Sequence, residues 1–385
     1  MKIVMYSDFF PPNTKGGAEI YVYRLAAALQ SRGHKVKILT NGNKNYEIDG
    51  LKVVTVPKTG VPFLDLYLFY KEIKRYDVFH IHNIHSHVRI LSIFLAAKLN
   101  NIPLIWTAHD YWFKCQKNIL LDNSYQNCTT SRCERVCLRN SYFRDEVKIL
   151  RNIKKLFKNV DTAIAPSHAM EKNMISFGLD KDHIKQIAYG LPLESYPYST
   201  ANPKKNIILF IGSLEVHKGC RFLIEAMPDV IKQIPDAKLL IVGDGSEKDN
   251  LMILAKKIKI DNNVEFRGKI PNEKTSELYK QANLVVIPSI WQDVLPIVGL
   301  ETMAIGRPLI GSDIGGIPDW INNGETGFLF EPRSVEQIAG RIVQILSDDD
   351  MEISMGRTAR KKVEKEFNMT EHTDIMEKIY ERACR

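Results

Sequence analysis

Short runs of apolar, β-branched residues alternate along the chain with longer segments whose apolar residues recur at helical spacing. In the first half these runs predict strands at residues 2–7, 35–40, 53–56, 77–82, 103–108, 161–166 and 184–188. The second half restarts the alternation, with strand-like runs at residues 207–211, 238–242, 264–267 and 283–287. Strands that alternate with helices form parallel sheets covered by helices. The sequence therefore predicts the α/β class with two Rossmann-like, doubly wound domains.

The two halves are separated by the segment 190–204, which combines prolines and polar residues without periodicity. We expect an N-terminal domain at residues 1–195, a C-terminal domain at residues 204–365 and a last helix at residues 366–385. A length of 385 residues also favours two domains over one core. Residues 113–140 lack the α/β periodicity and predict an insert in the first domain.

Charge is unevenly distributed. Residues 1–200 contain 28 Lys and Arg against 17 Asp and Glu, whereas the remainder contains 25 against 28. A basic half favours an anionic partner such as a membrane surface or a phosphorylated acceptor. A nucleic-acid partner is not expected, because the basic residues lack interleaved aromatic residues on a recognised module. No apolar run approaches the roughly 18 residues of a membrane-spanning helix, and Asp8 comes too early for a signal peptide. We expect a cytoplasmic protein.

Residues 141–160 predict a helix with one apolar and one strongly basic face. Such a helix can bind an anionic membrane surface, which would make the protein peripheral on the inner face of the membrane. The same pattern is typical of a helix that packs on its own domain with a solvated basic face. Both interpretations are compatible.

Four of the six cysteines lie in or next to the predicted insert: Cys115, Cys128, Cys133 and Cys137. In a reducing compartment this clustering favours a structural zinc ion over disulfides. The spacing does not match a standard zinc finger, and reduced buried thiols are the alternative. No cofactor other than this zinc is expected.

The most informative stretch lies between the predicted strand 283–287 and a helix that begins near Ile297. Its loop contains Asp293, Leu295 and Pro296, and Glu301 lies in the second helical turn. The N–H groups at a helix start favour an anion such as a diphosphate. The two carboxylates can accept hydrogen bonds from sugar hydroxyls. A solvated loop aspartate and a surface glutamate are the alternative.

Two features of the first half also lie where ligands bind in open α/β sheets. Gly16 and Gly17 precede the helix predicted at residues 18–30. Glycines at such a helix start let the backbone approach a ligand closely, or serve only a tight turn. His109 and Asp110 follow the strand 103–108, so His109 can hydrogen-bond a sugar hydroxyl, or can simply end the strand. The nearby His80 and His82 predict core or solvated histidines rather than metal ligands.

These motifs resemble the retaining nucleotide-sugar glycosyltransferases of the GT-B fold, family 4 (group 1). The resemblance rests on the acid-x7-acid spacing of Asp293 and Glu301, on the segments 306–319 and 324–330, and on residues 107–112, and it extends from residue 1 to about 332. It implies two Rossmann-like domains facing across a cleft and a metal-independent transferase of hexosyltransferase type.

Residue roles follow from the resemblance. Glu301 would hold the nucleotide ribose and Asp293 the hydroxyls of the transferred sugar. Lys218 would neutralise the leaving diphosphate, with backbone N–H groups near Leu295, Pro296 and Ile297, and His109 would act at the transferred sugar. The remaining predicted contacts are the base near Gly268, Lys269 and Ile270, the phosphate loop at Gly16 and Gly17, and the acceptor side at Glu19 and Asp110.

Two positions depart from the family pattern. Ser213 stands in the donor site where the family has an arginine, so one of two cations is missing unless His217 or Arg221 replaces it. Asp293 stands where glutamate is more usual.

The sequence favours a retaining glycosyltransferase that moves a sugar from a nucleoside diphosphate sugar to a lipid-linked or polysaccharide acceptor in cell-envelope glycan synthesis. The alternatives are a nucleotide-sugar epimerase or hydrolase on the same fold and a non-catalytic sugar-nucleotide binding protein.

Overall fold

The computed structural model describes residues 1–14, 16–84, 87–115, 117–128, 154–157, 160–199, 206–271 and 274–385. It divides the chain into two compact units. The first unit consists of Met1–Gly190 together with Met369–Arg385, and the second unit of Leu191–Asn368. The sequence predicts that the first domain ends at residue 195, that the second begins at residue 204 and that the last helix begins at residue 366. In the structure the second unit begins at Leu191, so it includes the predicted linker, and the chain returns to the first unit at Met369.

In the described part of the first unit, eight strands form one sheet. They are β1 (Lys2–Tyr6), β2 (Lys35–Asn41), β3 (Tyr46–Ile48), β4 (Leu51–Val56), β5 (Val78–Ile81), β6 (Leu104–Thr107), β7 (Thr162–Ala165) and β8 (Ile184–Gln186). Their order is β3-β4-β2-β1-β5-β6-β7-β8. The short β3 runs antiparallel to β4, and the other neighbours pair in parallel. The middle strands are buried along almost their whole length, as expected for strands covered on both faces.

Helices of the described first unit are α1 (Gly17–Ser31), α2 (Pro62–Ile73), α3 (His87–Asn100), α4 (His168–Phe177) and the C-terminal helix (Met369–Ala383). Local signals explain two of these boundaries. The Ser167 hydroxyl accepts the N–H of Met170 and caps the start of α4. At its other end, Gly178 adopts the left-handed conformation that ends helices.

The second unit has a six-stranded parallel sheet in the order β11-β10-β9-β12-β13-β14. Its strands are β9 (Ile207–Ile211), β10 (Lys238–Val242), β11 (Val264–Phe266), β12 (Leu284–Ile287), β13 (Leu309–Ser312) and β14 (Gly327–Phe330). Its helices are α5 (Cys220–Gln233), α6 (Lys248–Lys257), α7 (Thr275–Gln281), α8 (Ile297–Ile305), α9 (Val335–Leu346) and α10 (Asp349–Glu366).

The core of the second unit lies between this sheet and helices such as α5 and α9. It buries Ile208, Leu223, Met227, Ile310 and Ile342 completely. The strand order reverses beside β9, because β10 follows on one side and β12 on the other. Ligands of open α/β sheets bind at the carboxyl ends of the strands near such a reversal.

The structure confirms the predicted class of two Rossmann-like α/β domains and adds three strands that the hydrophobic pattern does not predict. These are β3, β13 and β14. The strand β3 is only three residues long and half-buried, and glycines lie within β13 and at the start of β14. Within the described ranges, no helix is both long and apolar enough to cross a membrane.

Candidate functional site

Three loops meet at the carboxyl edge of the second-unit sheet, after β9, β10 and β11. The Gly243 N–H donates to the Gly268 carbonyl at 2.9 Å, and the Leu214 N–H donates to the Asp244 carbonyl at 2.9 Å. The predicted donor-site residue Gly268 lies here with a positive φ, followed by the exposed Lys269 and the half-buried Ile270. These bonds tie the loop after β11 to the loops beside it.

Lys218 ends a short 3₁₀ turn, Val216–Lys218, between β9 and α5. The next residue, Gly219, has φ 71°, and a Cβ there would lie 1.8 Å from the carbonyl oxygen of Pro288. Only glycine fits this close approach of two loops. The Ile290 N–H also donates to the His217 carbonyl at 2.9 Å. Lys218 is therefore held against the loop that follows β12.

That loop presents Asp293 to Lys218. The Lys218 Nζ donates to Asp293 Oδ2 at 2.6 Å. The same oxygen accepts the Ser289 hydroxyl at 3.1 Å and the Trp291 indole N–H at 3.1 Å. Among the described residues, none donates to Oδ1. The buried carboxylate of Asp293 is thus stabilised through one oxygen and keeps the other for a further donor.

The ammonium of Lys218 also lies against an aromatic surface. Its Nζ is 5.1 Å from the ring centroid of Trp291, within the range of a cation–π interaction. The His217 ring packs edge-on against the same indole, with centroids 5.2 Å apart. Side chains on both sides therefore fix the position of this cation.

Glycines fix the backbone of Asp293 from the other side. Gly315 has φ 62°, and a Cβ there would lie 2.5 Å from the Asp293 carbonyl oxygen. The N–H of Gly316 donates to that oxygen at 2.7 Å. The Gly-Gly pair of the segment 306–319 therefore packs directly on the acidic loop.

Glu301 lies in the second turn of α8, where its carboxylate is buried. The Tyr196 hydroxyl donates to Oε1 at 2.6 Å, and the Tyr279 hydroxyl donates to Oε2 at 2.8 Å. Each carboxylate oxygen can accept more than one hydrogen bond. Glu301 is therefore oriented by two tyrosines and retains capacity for further donors.

The first turn of α8 follows Leu295 and Pro296. Pro296 is its N-cap and has no side-chain hydrogen bond to the helix, and the Gly299 N–H bonds back to the Pro296 carbonyl at 3.0 Å. The first helical residue is Ile297. An uncapped helix start with no acidic side chain in its first turn has the electrostatic character that favours an anion.

Ser213 stands where the family has an arginine, and the sequence leaves His217 and Arg221 as candidates for the missing cation. Burial, reinforced by the charge of Lys218, lowers the pKa of His217 to about 4, so the imidazole is neutral near pH 7. Arg221 is largely exposed and pairs with Glu225 one turn along α5, at 2.8 Å. His217 therefore supplies no second cation near pH 7, while a contribution from Arg221 stays a prediction. Ser213 itself is half-buried after β9.

In the first unit, Gly16 and Gly17 begin α1. Glu19 is buried, and its Oε2 accepts the Gly16 N–H at 2.8 Å while its Oε1 accepts the Asn83 amide at 2.9 Å. This is a capping arrangement. The predicted acceptor-side residue Glu19 therefore also holds the glycine loop against the end of β5. Asp110 accepts the Trp112 N–H at 2.9 Å and stabilises its own turn.

His109 belongs to a group of four buried histidines in the first unit, here called the histidine cluster: His80, His82, His109 and His372. His109 Nδ1 lies 2.6 Å from the Tyr189 hydroxyl and Nε2 lies 3.0 Å from His82 Nδ1. Burial lowers the pKa of His109 to about 3. His109 is therefore a neutral imidazole whose two nitrogens already have partners in this conformation. It carries no charge to offer a sugar, and a hydrogen bond from the ring to a sugar hydroxyl would have to replace the bond to Tyr189 or the one to His82.

The other members of the cluster are core residues, as the sequence favours for His80 and His82. His80 bonds the Tyr380 hydroxyl and the Thr107 hydroxyl, both at 2.8 Å. Burial and the neighbouring histidines lower the pKa of both His80 and His82. The C-terminal helix therefore contacts the same cluster that holds His109.

The cysteine and basic-helix predictions lie largely outside the described residues. Cys115 is buried and Cys128 is half-buried, whereas Cys133 and Cys137 lie outside the described residues, so structural zinc stays a prediction. In the described ranges, no group of three or more His, Cys, Asp and Glu is arranged to hold a metal ion.

Of the predicted helix 141–160, the structure describes residues 154–157 and 160. Lys154 and Lys155 are exposed, while Phe157 is buried. The ring centroids of Phe157 and Trp106 are 4.6 Å apart. At these positions the basic side chains face solvent and an apolar side chain packs within the domain.

Sequence comparison gives two family matches that together span most of the chain. The family described as Glycosyltransferase Family 4 matches residues 15–195, and the family described as Glycosyl transferases group 1 matches residues 196–362. An uncharacterized glycosyltransferase of Methanocaldococcus jannaschii is 27% identical, over 96% of this chain and 95% of its own length. The N-acetyl-alpha-D-glucosaminyl L-malate synthase of Bacillus anthracis is 26% identical, over 95% of this chain and 93% of its own.

A similar fold is found in the crystal structure of HepE from Anabaena in complex with UDP-glucose. Its TM-score is 0.78 at 18% identity, and the match covers 99% of this chain and 100% of that chain. At this identity the likeness establishes the fold alone.

Proposed function

The chain belongs to the group 1 glycosyltransferases of family 4, with the GT-B fold, and we propose that it transfers a sugar from a nucleoside diphosphate sugar. A uridine diphosphate sugar is the first donor class to test, because HepE binds UDP-glucose in a similar fold. The base and the sugar would be bound by the second unit, whose sheet presents its carboxyl edge in the way that nucleotide-binding sheets do.

The contact between Lys218 and Asp293 carries this proposal. A lysine and an aspartate 75 residues apart in sequence meet at 2.6 Å, next to the uncapped start of α8. Two of the three N–H groups of the ammonium stay available for phosphate oxygens. Asp293 Oδ1 stays available for a sugar hydroxyl. Lys218 thus serves the phosphate end of the sugar–phosphate bond, and Asp293 serves the sugar end.

In the proposed reaction, the bond between the anomeric carbon and the diphosphate oxygen breaks, the acceptor hydroxyl oxygen forms the new bond, and the proton of that hydroxyl passes to the leaving diphosphate. Negative charge grows on the leaving diphosphate, where Lys218 and the first N–H groups of α8 stabilise it. Positive charge develops at the sugar, where Asp293 orients a hydroxyl and adds a negative charge. Because lysine and helix start supply the stabilisation, we propose transfer without a divalent metal ion.

Glu301 is proposed to bind the ribose. Tyr196 and Tyr279 hold its carboxylate in one orientation, which lowers the entropic cost of binding a diol. The loop at Gly268, Lys269 and Ile270 is proposed to lie beside the base.

For the first unit we keep the roles that the family resemblance implies. Glu19 and Asp110 are assigned to the acceptor side, and Gly16 and Gly17 to backbone contact with the donor phosphate. His109 is assigned to a hydrogen bond with the transferred sugar, made by a neutral ring that exchanges its bond to Tyr189 or to His82 for one to the sugar.

We further propose retention of the anomeric configuration, transfer of a hexosyl group, and a lipid-linked or glycan acceptor in cell-envelope polysaccharide synthesis. This would place the enzyme in the cytoplasm, bound peripherally to the membrane, and the basic residues of the segment 141–160 are one candidate for that contact.

One observation favours a second candidate function. At the donor site the described residues include Lys218 but no arginine at position 213, and His217 is neutral. A site with less positive charge would stabilise the leaving diphosphate less, which fits a non-catalytic sugar-nucleotide binding protein. An epimerase or hydrolase is disfavoured by the acid-x7-acid spacing followed by Met303, Ala304 and Gly306.

A single-turnover assay separates these functions. Enzyme in excess over a radiolabelled UDP-sugar is mixed with membrane lipid extract as acceptor, and nucleotide and product are separated over time, with and without EDTA. The proposal expects UDP release coupled to labelled lipid or glycan, unchanged by EDTA, and an α-linked product from an α-linked donor. Binding without UDP release would favour the non-catalytic function, and release of free sugar would favour a hydrolase.

A further inference from the structure

We propose that the outward face of α2 and α3 in the first unit docks on an anionic lipid bilayer. The inference builds on the proposed peripheral membrane location but names a surface different from the segment 141–160. The face is here called the α2–α3 face and comprises these exposed residues: Val61, Phe63, Leu64, Tyr67, Lys71, Lys74, Arg75, Leu91, Leu95, Lys98 and Leu99.

Large apolar side chains stand in solvent along this face. Phe63 is 83% exposed, Tyr67 59% and Leu99 63%. On α3 the exposed Leu91, Leu95 and Leu99 recur every four residues, so they form one stripe. Single exposed apolar residues are ordinary, but a contiguous set marks a surface that binds something.

The two helices present these residues side by side. The Ser92 hydroxyl donates to the Pro62 carbonyl at 3.0 Å, and the Asn100 amide donates to the Tyr70 carbonyl at 3.1 Å. The same offset of 30 residues at both points shows that the helices run parallel in register. Both turn their buried residues inward, such as Phe69 of α2. Their exposed residues therefore line one common surface.

Charge on the α2–α3 face is positive. Lys71, Lys74, Arg75 and Lys98 are exposed. The acids of α2 do not offset them, because Asp65 is buried next to Arg89 at 3.5 Å.

The remaining acid of α2, Glu72, pairs with Lys37 at 3.1 Å. Exposed apolar residues flanked by cations are the pattern of a helix that lies on anionic lipid. A second copy of the chain would instead place these cations against each other, which opposes self-association through this face.

Vesicle co-sedimentation tests the surface. The full chain is mixed with vesicles of phosphatidylglycerol and phosphatidylethanolamine, or of phosphatidylcholine alone, without donor or acceptor. We expect binding to the anionic vesicles, weakened by salt. The variant F63S/L64S/Y67S should bind at least tenfold more weakly. The affinity of the variant K71E/K74E for the anionic vesicles should fall about fivefold for each lysine removed.

Two controls isolate the face. The variant M252S/I253S removes exposed apolar residues from α6 of the second unit and should bind as the wild type does. The variant K154E/K155E reverses charge in the segment 141–160. Thermal unfolding should be unchanged in F63S/L64S/Y67S, because its side chains are exposed.

Wild-type failure to bind anionic vesicles, or undiminished binding by F63S/L64S/Y67S, would overturn the inference. So would a wild-type dimer, measured by light scattering, that F63S/L64S/Y67S converts to monomer. If K154E/K155E alone loses vesicle binding, the membrane contact belongs to the segment 141–160, and the inference about the α2–α3 face is overturned as well. Vesicle binding by a protein without transferase activity would support the α2–α3 face while refuting the proposed function.

Discussion

Replacement of Lys218 by alanine tests the chemistry of the site most sharply. In the structure this ammonium bonds Asp293 Oδ2 at 2.6 Å and keeps two donors for phosphate. If it stabilises the charge that grows on the leaving diphosphate, Lys218→Ala should lower kcat by about 10²- to 10³-fold, or about 2.7–4 kcal/mol. The donor KM should rise less than kcat falls, because the charge is greater in the transition state than in the ground state.

The same substitution has a separate effect on stability. It leaves the buried Asp293 without its cation, but Ser289 and Trp291 still donate to that carboxylate. We therefore expect a loss of unfolding free energy of about 1–3 kcal/mol, below the cost of a fully unpaired buried charge. Thermal unfolding measured beside the kinetics separates lost chemistry from lost structure.

Steady-state assays of UDP release at saturating acceptor give kcat and KM for the wild type, Lys218→Ala and Lys218→Arg. A matched control is Lys248→Ala, since Lys248 is a half-buried lysine that pairs with an aspartate, Asp244, in another loop of the same sheet edge. The control should stay within twofold of the wild type, and Lys218→Arg should keep part of the rate. A folded Lys218→Ala enzyme with a kcat within threefold of the wild type would refute the assigned role.

Three further predictions concern buried groups. Burial raises the pKa of Glu352 to about 7 from 4.5, so the folded state binds more protons than the unfolded state and stability falls as pH rises through this window. Glu352→Gln should therefore raise the Tm at pH 8 by an amount equivalent to about 1–3 kcal/mol and have little effect at pH 4.5. The histidine cluster gives stability the opposite dependence on pH. Its pKa values in the folded state lie below 6.5, so the unfolded chain takes up protons first as pH falls and the folded state loses stability. Calorimetry should show a stability loss on the order of 5 kcal/mol between pH 7 and 5.5, and a flat profile would contradict neutral rings. Tyr189→Phe removes the hydroxyl that bonds His109 and should lower kcat about tenfold, and an unchanged kcat would argue against a role for the orientation of this ring.

The pattern of hydrophobic and polar residues predicts most strands and helices, because buried parallel strands consist of short apolar runs and helices have apolar residues at a 3.6-residue period. It does not predict β13, whose apolar run is interrupted by Gly311, or β14, which begins at Gly327 and is only four residues long. The linker illustrates a different limit. Tyr196 lies in a segment without periodicity, yet its hydroxyl bonds Glu301, 105 residues away. No local feature of the sequence records such a partner.

The same limit applies to the environment of each predicted site residue. The sequence and the family resemblance single out Asp293 and Lys218, but the convergence of three donors on one oxygen of Asp293 depends on the tertiary fold. The neutral state of His109 likewise follows from burial beside Tyr189 and His82. Alternation along the predicted strand 77–82 places His80 and His82 on one face but does not reveal their partners.

The proposed nucleotide site at the start of α8 can be measured by calorimetric titration of UDP into the wild type and into Glu301→Gln. The substitution preserves shape and can still bond Tyr196 and Tyr279, while it removes the charge and half of the acceptor capacity offered to a ribose. We expect Glu301→Gln to bind UDP at least tenfold more weakly than the wild type does, since hydrogen bonds to charged groups contribute about 1.5–3 kcal/mol. Equal affinity for UDP in the two proteins, or no UDP binding by the wild type, would contradict a nucleotide site at α8.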